Sequence, residues 1–248
     1  MKGLVLGNSH VSAIRDSKPA VPGLDLQYYA VLSGAGPRLE RVEDRLKPSN
    51  PENLVLTDVP EAAERGLDPR PYDFIAFCSF GLGAVRPEYQ GSFLREVGLA
   101  EAMLPGDTGV MPLSRRLFLD HALPGHLDSL GARLTLSLLR EVYAGPIIVA
   151  PIPLPVCGMF EKDHPLRLTY GDRVPEVMSL IGQRVLAYLQ DLAKADPALI
   201  ALGYPDAGWL AQGSTPEALV NRPLDPWHMN PTYGARVFDQ IRQAAGLA

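Results

Sequence analysis

Leu4-Val5-Leu6-Gly7-Asn8-Ser9-His10 decides how this chain is read. An apolar run of strand length stops at a glycine and delivers a serine straight after it. Length and pattern predict a buried first strand, and the segment after Ser9 can begin a helix. A side chain on such a strand-to-helix turn stands at the carboxyl edge of a sheet, where open α/β folds bind ligands. Near the other end, Asp225-Pro226-Trp227-His228 supplies an acid and a base of the kind such a serine needs.

Outward from that first strand, His10 to Arg15 reads as a short helix ended by the loop Lys18 to Pro22. Leu26 to Leu32 is aromatic and β-branched and closes on Ser33-Gly34-Ala35-Gly36-Pro37, a second strand and its turn. Residues 38–71 are polar and proline-rich, with a short strand at Leu54-Val55-Leu56. Tyr72 to Cys78 is the next buried strand, followed by Gly81 and Gly83. Residues 84–127 mix turn signals (Pro87, Pro105-Gly106, Pro112, Pro124-Gly125) with short apolar pieces and read as loops and short helices over the site. From Asp128, Leu130, Leu134, Leu138 and Val142 recur at helical spacing up to Gly145-Pro146. Pro146 to Pro151 is a strand whose prolines fit at its ends. Asp172 is placed to cap a long helix with Val177, Ile181, Val185 and Leu189 on one face. Ala198 to Leu202 is a final strand, and Asn230-Pro231 is an N-cap with proline at the first helical position. Strands alternating with helices argue a mainly parallel sheet covered on both faces. The expectation is one domain over 1–248, a three-layer α/β sandwich with an insertion at 84–127.

Composition narrows the function classes. At 248 residues, 46% hydrophobic and 21% charged, the chain has enough material for a sizeable core. A formal charge of −5 without a basic run argues against nucleic acid or an anionic membrane as partner. No run approaches the roughly 18 apolar residues of a membrane span. Met1-Lys2-Gly3-Leu4 leads into an apolar run too short for a signal peptide, so a cytoplasmic location is expected. Cys78 and Cys157 are too few for a disulfide framework and lack metal-site spacing. No metal or cofactor is expected, and oligomeric state is not encoded in any recognisable pattern.

Serine is a weak nucleophile until a base takes its proton, and the base needs an acid to fix its tautomer. Asp225 and His228, three apart in a proline-bracketed loop, can be aimed together at the edge of the first strand. Each residue also has a plainer reading: Ser9 as a helix cap, Asp225 as a turn former, His228 as a solvent-facing loop residue. Their joint occurrence favours catalysis. Cys78 reads as core filler. His10 borders the site and, with Asn8, is a candidate substrate contact. His121, His126 and Arg115-Arg116 read as surface residues, Trp227 and Tyr233 as packing for the catalytic loop. A dinucleotide site is disfavoured, because Asn8-Ser9-His10-Val11-Ser12 replaces the glycines it requires.

Gly7-Asn8-Ser9 resembles the Gly-Asp-Ser opening block of the SGNH/GDSL hydrolases, a superfamily of serine esterases, lipases, carbohydrate deacetylases and related acyl-transfer enzymes. Asp225-Pro226-Trp227-His228-Met229-Asn230-Pro231, with Tyr233-Gly234 beyond, is similar to its closing Asp-x-x-His block. The resemblance implies a three-layer α/β/α sandwich with a flavodoxin-like sheet. It also implies ester cleavage through an acyl-enzyme on Ser9 and an oxyanion hole from the N–H groups of Ser9 and Gly34. In the third block Gly81 aligns with the family glycine, while Gly83 and Ala84 stand where asparagine and aspartate are usual. Gly83 is then the candidate for a backbone donor in place of the asparagine amide, with a polar side chain beside the nucleophile, Asn8 or His10, as the alternative. The expected substrate is a small-molecule ester, such as an acyl or acetyl ester of a carbohydrate. An acyltransferase with the same triad and a non-catalytic binding protein on the same fold are the alternatives.

Overall fold

The computed structural model of the protein describes residues 1–32, 39–78, 93–106, 108–129, 132–223 and 225–247. Six strands build its centre: β1 (Lys2–Gly7), β2 (Asp25–Val31), β3 (Leu54–Thr57), β4 (Phe74–Cys78), β5 (Ile147–Ala150) and β6 (Leu199–Ala201). They lie in the order β6-β5-β4-β1-β2-β3, all parallel except β3, which pairs antiparallel with β2 at one edge. The chain therefore builds outward from β1 to β2 and then crosses to the other side of β1 to begin again at β4. That reversal makes the gap between the carboxyl ends of β1 and β4 the topological switch point, where doubly wound sheets bind ligands. Gly7 lies in register with Cys78 there.

The strands carry apolar residues on both faces because both faces are covered. Leu4, Leu6, Tyr29, Val31, Ile75, Phe77, Ile147 and Val149 point into one core. Val5, Tyr28, Ala30, Ala76, Cys78, Ile148 and Ala150 point into the other. The period of two along each strand sorts these residues without exception. The five helices that matter here are α1 (Val11–Asp16), α2 (Ala132–Val142), α3 (Val174–Ala195), α4 (Ala207–Gln212) and α5 (Pro231–Ala244). Helices α2 and α3 cover the first face, through Leu136, Leu139, Val177, Ile181, Val185 and Leu189. Helices α1, α4 and α5 cover the second, through Val11, Ile14, Trp209, Tyr233, Val237, Phe238 and Ile241. The result is a three-layer α/β/α sandwich around a mainly parallel, flavodoxin-like sheet.

Three local expectations are corrected. Of the expected stripe of α2, Val142 is buried and Leu138 packs partly buried against the core, but Leu134 is 48% exposed, Thr135, Leu136 and Leu139 complete the buried face, and Leu130 lies outside the described residues. The Leu-rich segment offers two helical registers, and the one that meets the sheet lies nearly a third of a turn away. Asp172 does not cap α3. Arg173 occupies the N-cap without a side-chain bond, and Asp172 instead pairs with Arg167 at 2.8 Å. Residues 38–71 contain an antiparallel hairpin, Leu39–Val42 with Arg45–Pro48, whose buried Leu39 and Leu46 hold it to the first core. Two buried positions among charged residues were too sparse to show as a strand pattern.

In the insertion, a short helix Phe93–Glu96 precedes a parallel pair, Val97–Leu99 with Met111–Leu113. A π-helical turn, Leu117–Ala122, then runs into the α-helix Leu123–Ser129. Phe93, Leu94, Leu99, Phe118, Leu123 and Leu127 join the core on the α2–α3 side. Of the segment 84–127 expected over the site, residues 84–92 and 107 lie outside the described residues.

Candidate active site

The serine turn follows from three neighbouring residues. A Cβ on Gly7 would run into the Cys78 carbonyl, so only glycine lets β1 end this close to β4. Asn8 is 2% exposed, and its Oδ1 accepts from the His10 N–H at 3.1 Å, folding the chain back on itself. The Val11 N–H then bonds to the Asn8 carbonyl at 3.0 Å and the Ser12 N–H to the Ser9 carbonyl at 3.2 Å, which starts α1. Ser9 is left half-buried at the tip, over the switch point.

The acid–base loop is held as firmly. Asp225 Oδ1 accepts from the backbone N–H groups of Trp227 and His228, each at 3.1 Å, and so shapes its own turn. The Val156 N–H bonds to the Pro226 carbonyl at 2.8 Å, and the Asn221 N–H to the His228 carbonyl at 2.8 Å. The loop is thus strapped to the segment after β5 on one side and to residues 219–221 on the other. Trp227 is buried, tilted against Phe160 with ring centroids 5.7 Å apart. Asn230 caps α5 through Oδ1, which accepts from Thr232 N–H at 3.0 Å and Tyr233 N–H at 3.2 Å.

These two turns bring Ser9, His228 and Asp225 into line. Ser9 Oγ lies 3.0 Å from His228 Nε2, and His228 Nδ1 lies 2.7 Å from Asp225 Oδ2. Burial works against ionising Asp225. The hydrogen bonds from the His228 ring and from the Trp227 and His228 backbone outweigh it and hold the carboxyl below the usual carboxylate range. An ionised Asp225 can only accept, so Nδ1 carries the imidazole proton and Nε2 offers its lone pair to the Ser9 hydroxyl. That is the hydrogen-bond order a serine nucleophile needs.

Two features were not visible in sequence. The His10 ring stacks on His228, with centroids 5.3 Å apart and planes 24° from parallel. Gly234 of α5 lies directly against the Ala13 carbonyl of α1. A glycine just inside a helix was the only sequence signal for the second, and the first had none.

Of the other candidates, Gly34, Gly81 and Gly83 lie outside the described residues. The Cys78 and Cys157 thiols are both buried. Burial pushes the Cys78 thiol up to about 12, which leaves it no nucleophilic thiolate near neutral pH. Arg115 is exposed, 3.6 Å from Glu101. His126 stacks on Phe93, and His121 is exposed. Among the described residues, no three His, Cys, Asp or Glu side chains gather as metal ligands would, and no helix is long and apolar enough to cross a membrane.

No family model matches the chain, and no curated protein matches it. Two solved structures are similar to it at low identity. One is a catalytic mutant of Axe2, an acetylxylan esterase from Geobacillus stearothermophilus, with 12% identity and a TM-score of 0.44, covering 100% of this chain and 94% of that one. The other is a DUF4886 family protein from Bacteroides uniformis ATCC 8492, with 9% identity and a TM-score of 0.44, covering 98% and 83%. What this chain does has to follow from its own geometry.

Proposed function

We propose that the protein is a serine hydrolase that cleaves a small-molecule carboxylic ester. The observation that carries this reading is the continuous line Ser9 Oγ–His228 Nε2 and His228 Nδ1–Asp225 Oδ2, at 3.0 and 2.7 Å, over the switch point of the sheet. A helix-capping serine or a solvent-facing histidine would have no reason to meet across 219 positions of sequence.

The chemistry follows in two steps. His228 takes the Ser9 proton as Oγ bonds to the ester carbonyl carbon. The tetrahedral intermediate then expels the alcohol, which leaves with the proton held on His228, and the acyl group stays on Ser9. Water enters, gives its proton to His228, and attacks the acyl carbon. Collapse releases the acid and returns the proton to Ser9. Asp225 stays ionised and stabilises the imidazolium each time it forms. The developing oxyanion needs fixed donors. The resemblance assigns these to the N–H groups of Ser9, at the turn into α1, and Gly34, and the Gly83 N–H is the candidate in place of the family's asparagine amide.

The test is labelling with a serine-directed fluorophosphonate and mass-spectrometric mapping of the site, followed by acetyl, butyryl and longer esters offered without an acceptor alcohol. Modification of Ser9 together with release of acid is the expected result. An unlabelled, folded protein would overturn the reading in favour of a binding protein.

A further inference from the structure

We infer that His10 is a positioning residue for His228, holding the imidazole in the plane from which it can take the Ser9 proton. The inference rests on the reading of Ser9, His228 and Asp225 as a hydrolytic triad. The two hydrogen bonds of His228 run to opposite sides of its ring, from Nε2 to Ser9 and from Nδ1 to Asp225. Two bonds so placed define an axis through the ring and leave it free to tilt about that axis. Rotation about that axis keeps both distances but changes the angle at which Nε2 meets the Ser9 hydroxyl and the direction in which the imidazolium can hand its proton to the leaving oxygen, and proton transfer is steeply sensitive to such alignment. A contact on the ring face removes that freedom. His10 supplies one, nearly parallel to His228 at 5.3 Å.

His10 can act as a brace because it is itself fixed. It is buried, its N–H is held by Asn8 Oδ1, and its carbonyl accepts from the Ala13 N–H at 3.2 Å. It also follows Ser9 directly, so nucleophile and brace belong to one rigid turn. His10 borders two hollows. One is a small polar concavity bounded by Ser9, Ser12, Asp16, Asn221 and His228. The other is an apolar one bounded by Ile14, Cys78, Ala150, Tyr233 and Val237. Truncating His10 would remove the stacked face against which the His228 ring rests beside these hollows.

The experiment compares wild type, His10→Ala and His10→Phe for turnover of 4-nitrophenyl acetate and for the rate of fluorophosphonate labelling, with circular dichroism to confirm folding. His10→Ala should lower kcat and the labelling rate by roughly 10- to 100-fold while KM changes little. His10→Phe restores a ring face without an imidazole and should recover most of the loss, which a general loss of packing would not explain. If the alanine variant does not fold, His10→Leu fills the volume without an aromatic face and should show the same defect. Wild-type rates in the folded alanine or leucine variant would overturn the inference. So would an equal loss in the phenylalanine variant, or an effect confined to KM, which would make His10 a hydrogen-bonding group or a substrate contact instead. If the wild type neither labels nor hydrolyses, the triad reading has failed, and that outcome is distinct from failure of the brace.

Discussion

Gly234→Ala is a substitution remote from the chemistry that should nonetheless reach it. Gly234 sits one turn into α5, where that helix crosses α1. A Cβ there would fall inside the contact radius of the Ala13 carbonyl and 2.6 Å from the Ile14 nitrogen, all backbone atoms that cannot swing aside. Recovering an ordinary contact of about 3.5 Å with all three requires the helices to part by roughly 1.5 Å. Ser9 lies just ahead of α1 and His228 just ahead of α5, so the parting acts on their 3.0 Å contact. A misplacement of that size costs on the order of 100-fold in turnover. Overpacking should destabilise by about 1–3 kcal/mol, offset by about 1 kcal/mol because alanine is the better helix former. The net is up to about 2 kcal/mol, or a fall in Tm of several degrees for a chain this size. Gly125 is the control, since it too lies in a helix but a Cβ there would meet nothing within 4 Å. Gly125→Ala should leave turnover unchanged and raise stability by about 0.5–1 kcal/mol. Steady-state ester hydrolysis and thermal denaturation of both variants decide the matter. Wild-type turnover in Gly234→Ala would show that the α1–α5 crossing does not set the active-site geometry.

Ser9→Ala and His228→Ala should each abolish nearly all turnover without unfolding the chain, and the double variant should be no worse than either, because the residues act as a unit. Single losses that multiplied in the double variant would deny the unit. Asp225, held below the usual carboxylate range, should stay ionised across the acid side of the kcat/KM–pH profile and add no second limb to it. A second limb removed by Asp225→Asn would contradict that assignment. Because burial pushes its thiol up to about 12, Cys78 should resist alkylation in the native protein, and thiol reagents should leave turnover intact; inactivation mapped to Cys78 would reject this. Val237→Ala on α5 and Val185→Ala on α3 should each cost about 1–3 kcal/mol of stability by denaturant unfolding. Only Val237→Ala, on the α1–α5 side, should also lower turnover, and equal turnover in the two would count against the coupling of that face to the site.

The architecture was legible because both faces of the sheet are buried. Strands such as Ile147–Ala150 are then uniformly apolar and announce themselves between turn signals. The buried face of α3 was readable from Val177, Ile181, Val185 and Leu189, all in the core as the spacing required. That of α2 was readable only in part, through Leu138 and Val142, since leucines populate more than one stripe and only contact with the sheet chooses between them. The hairpin at 39–48 escaped notice because two buried leucines anchor it. The line of Ser9, His228 and Asp225 could be anticipated from residue type and spacing. The His10 stack could not, because nothing in sequence tells which face of His228 the turn will meet.

The two signatures at opposite ends of the chain are, physically, two helix entries. Asn8 closes the turn into α1 with its side-chain oxygen, and Asn230 does the same for α5. Each asparagine fixes a short segment rigidly to the helix behind it, one carrying the nucleophile and the other the base. The helices then pack on the same face of the sheet, with Val11 and Ile14 among Tyr233, Val237, Phe238 and Ile241. Gly234 sets how near they come. Hydrogen-bond accuracy between residues 219 positions apart therefore needs no long chain of contacts. It needs two capped turns, one helix crossing and a glycine at the crossing. This gives Asn8 and Gly234 a physical task in aligning the serine with its base, although neither lies on the line of proton transfer.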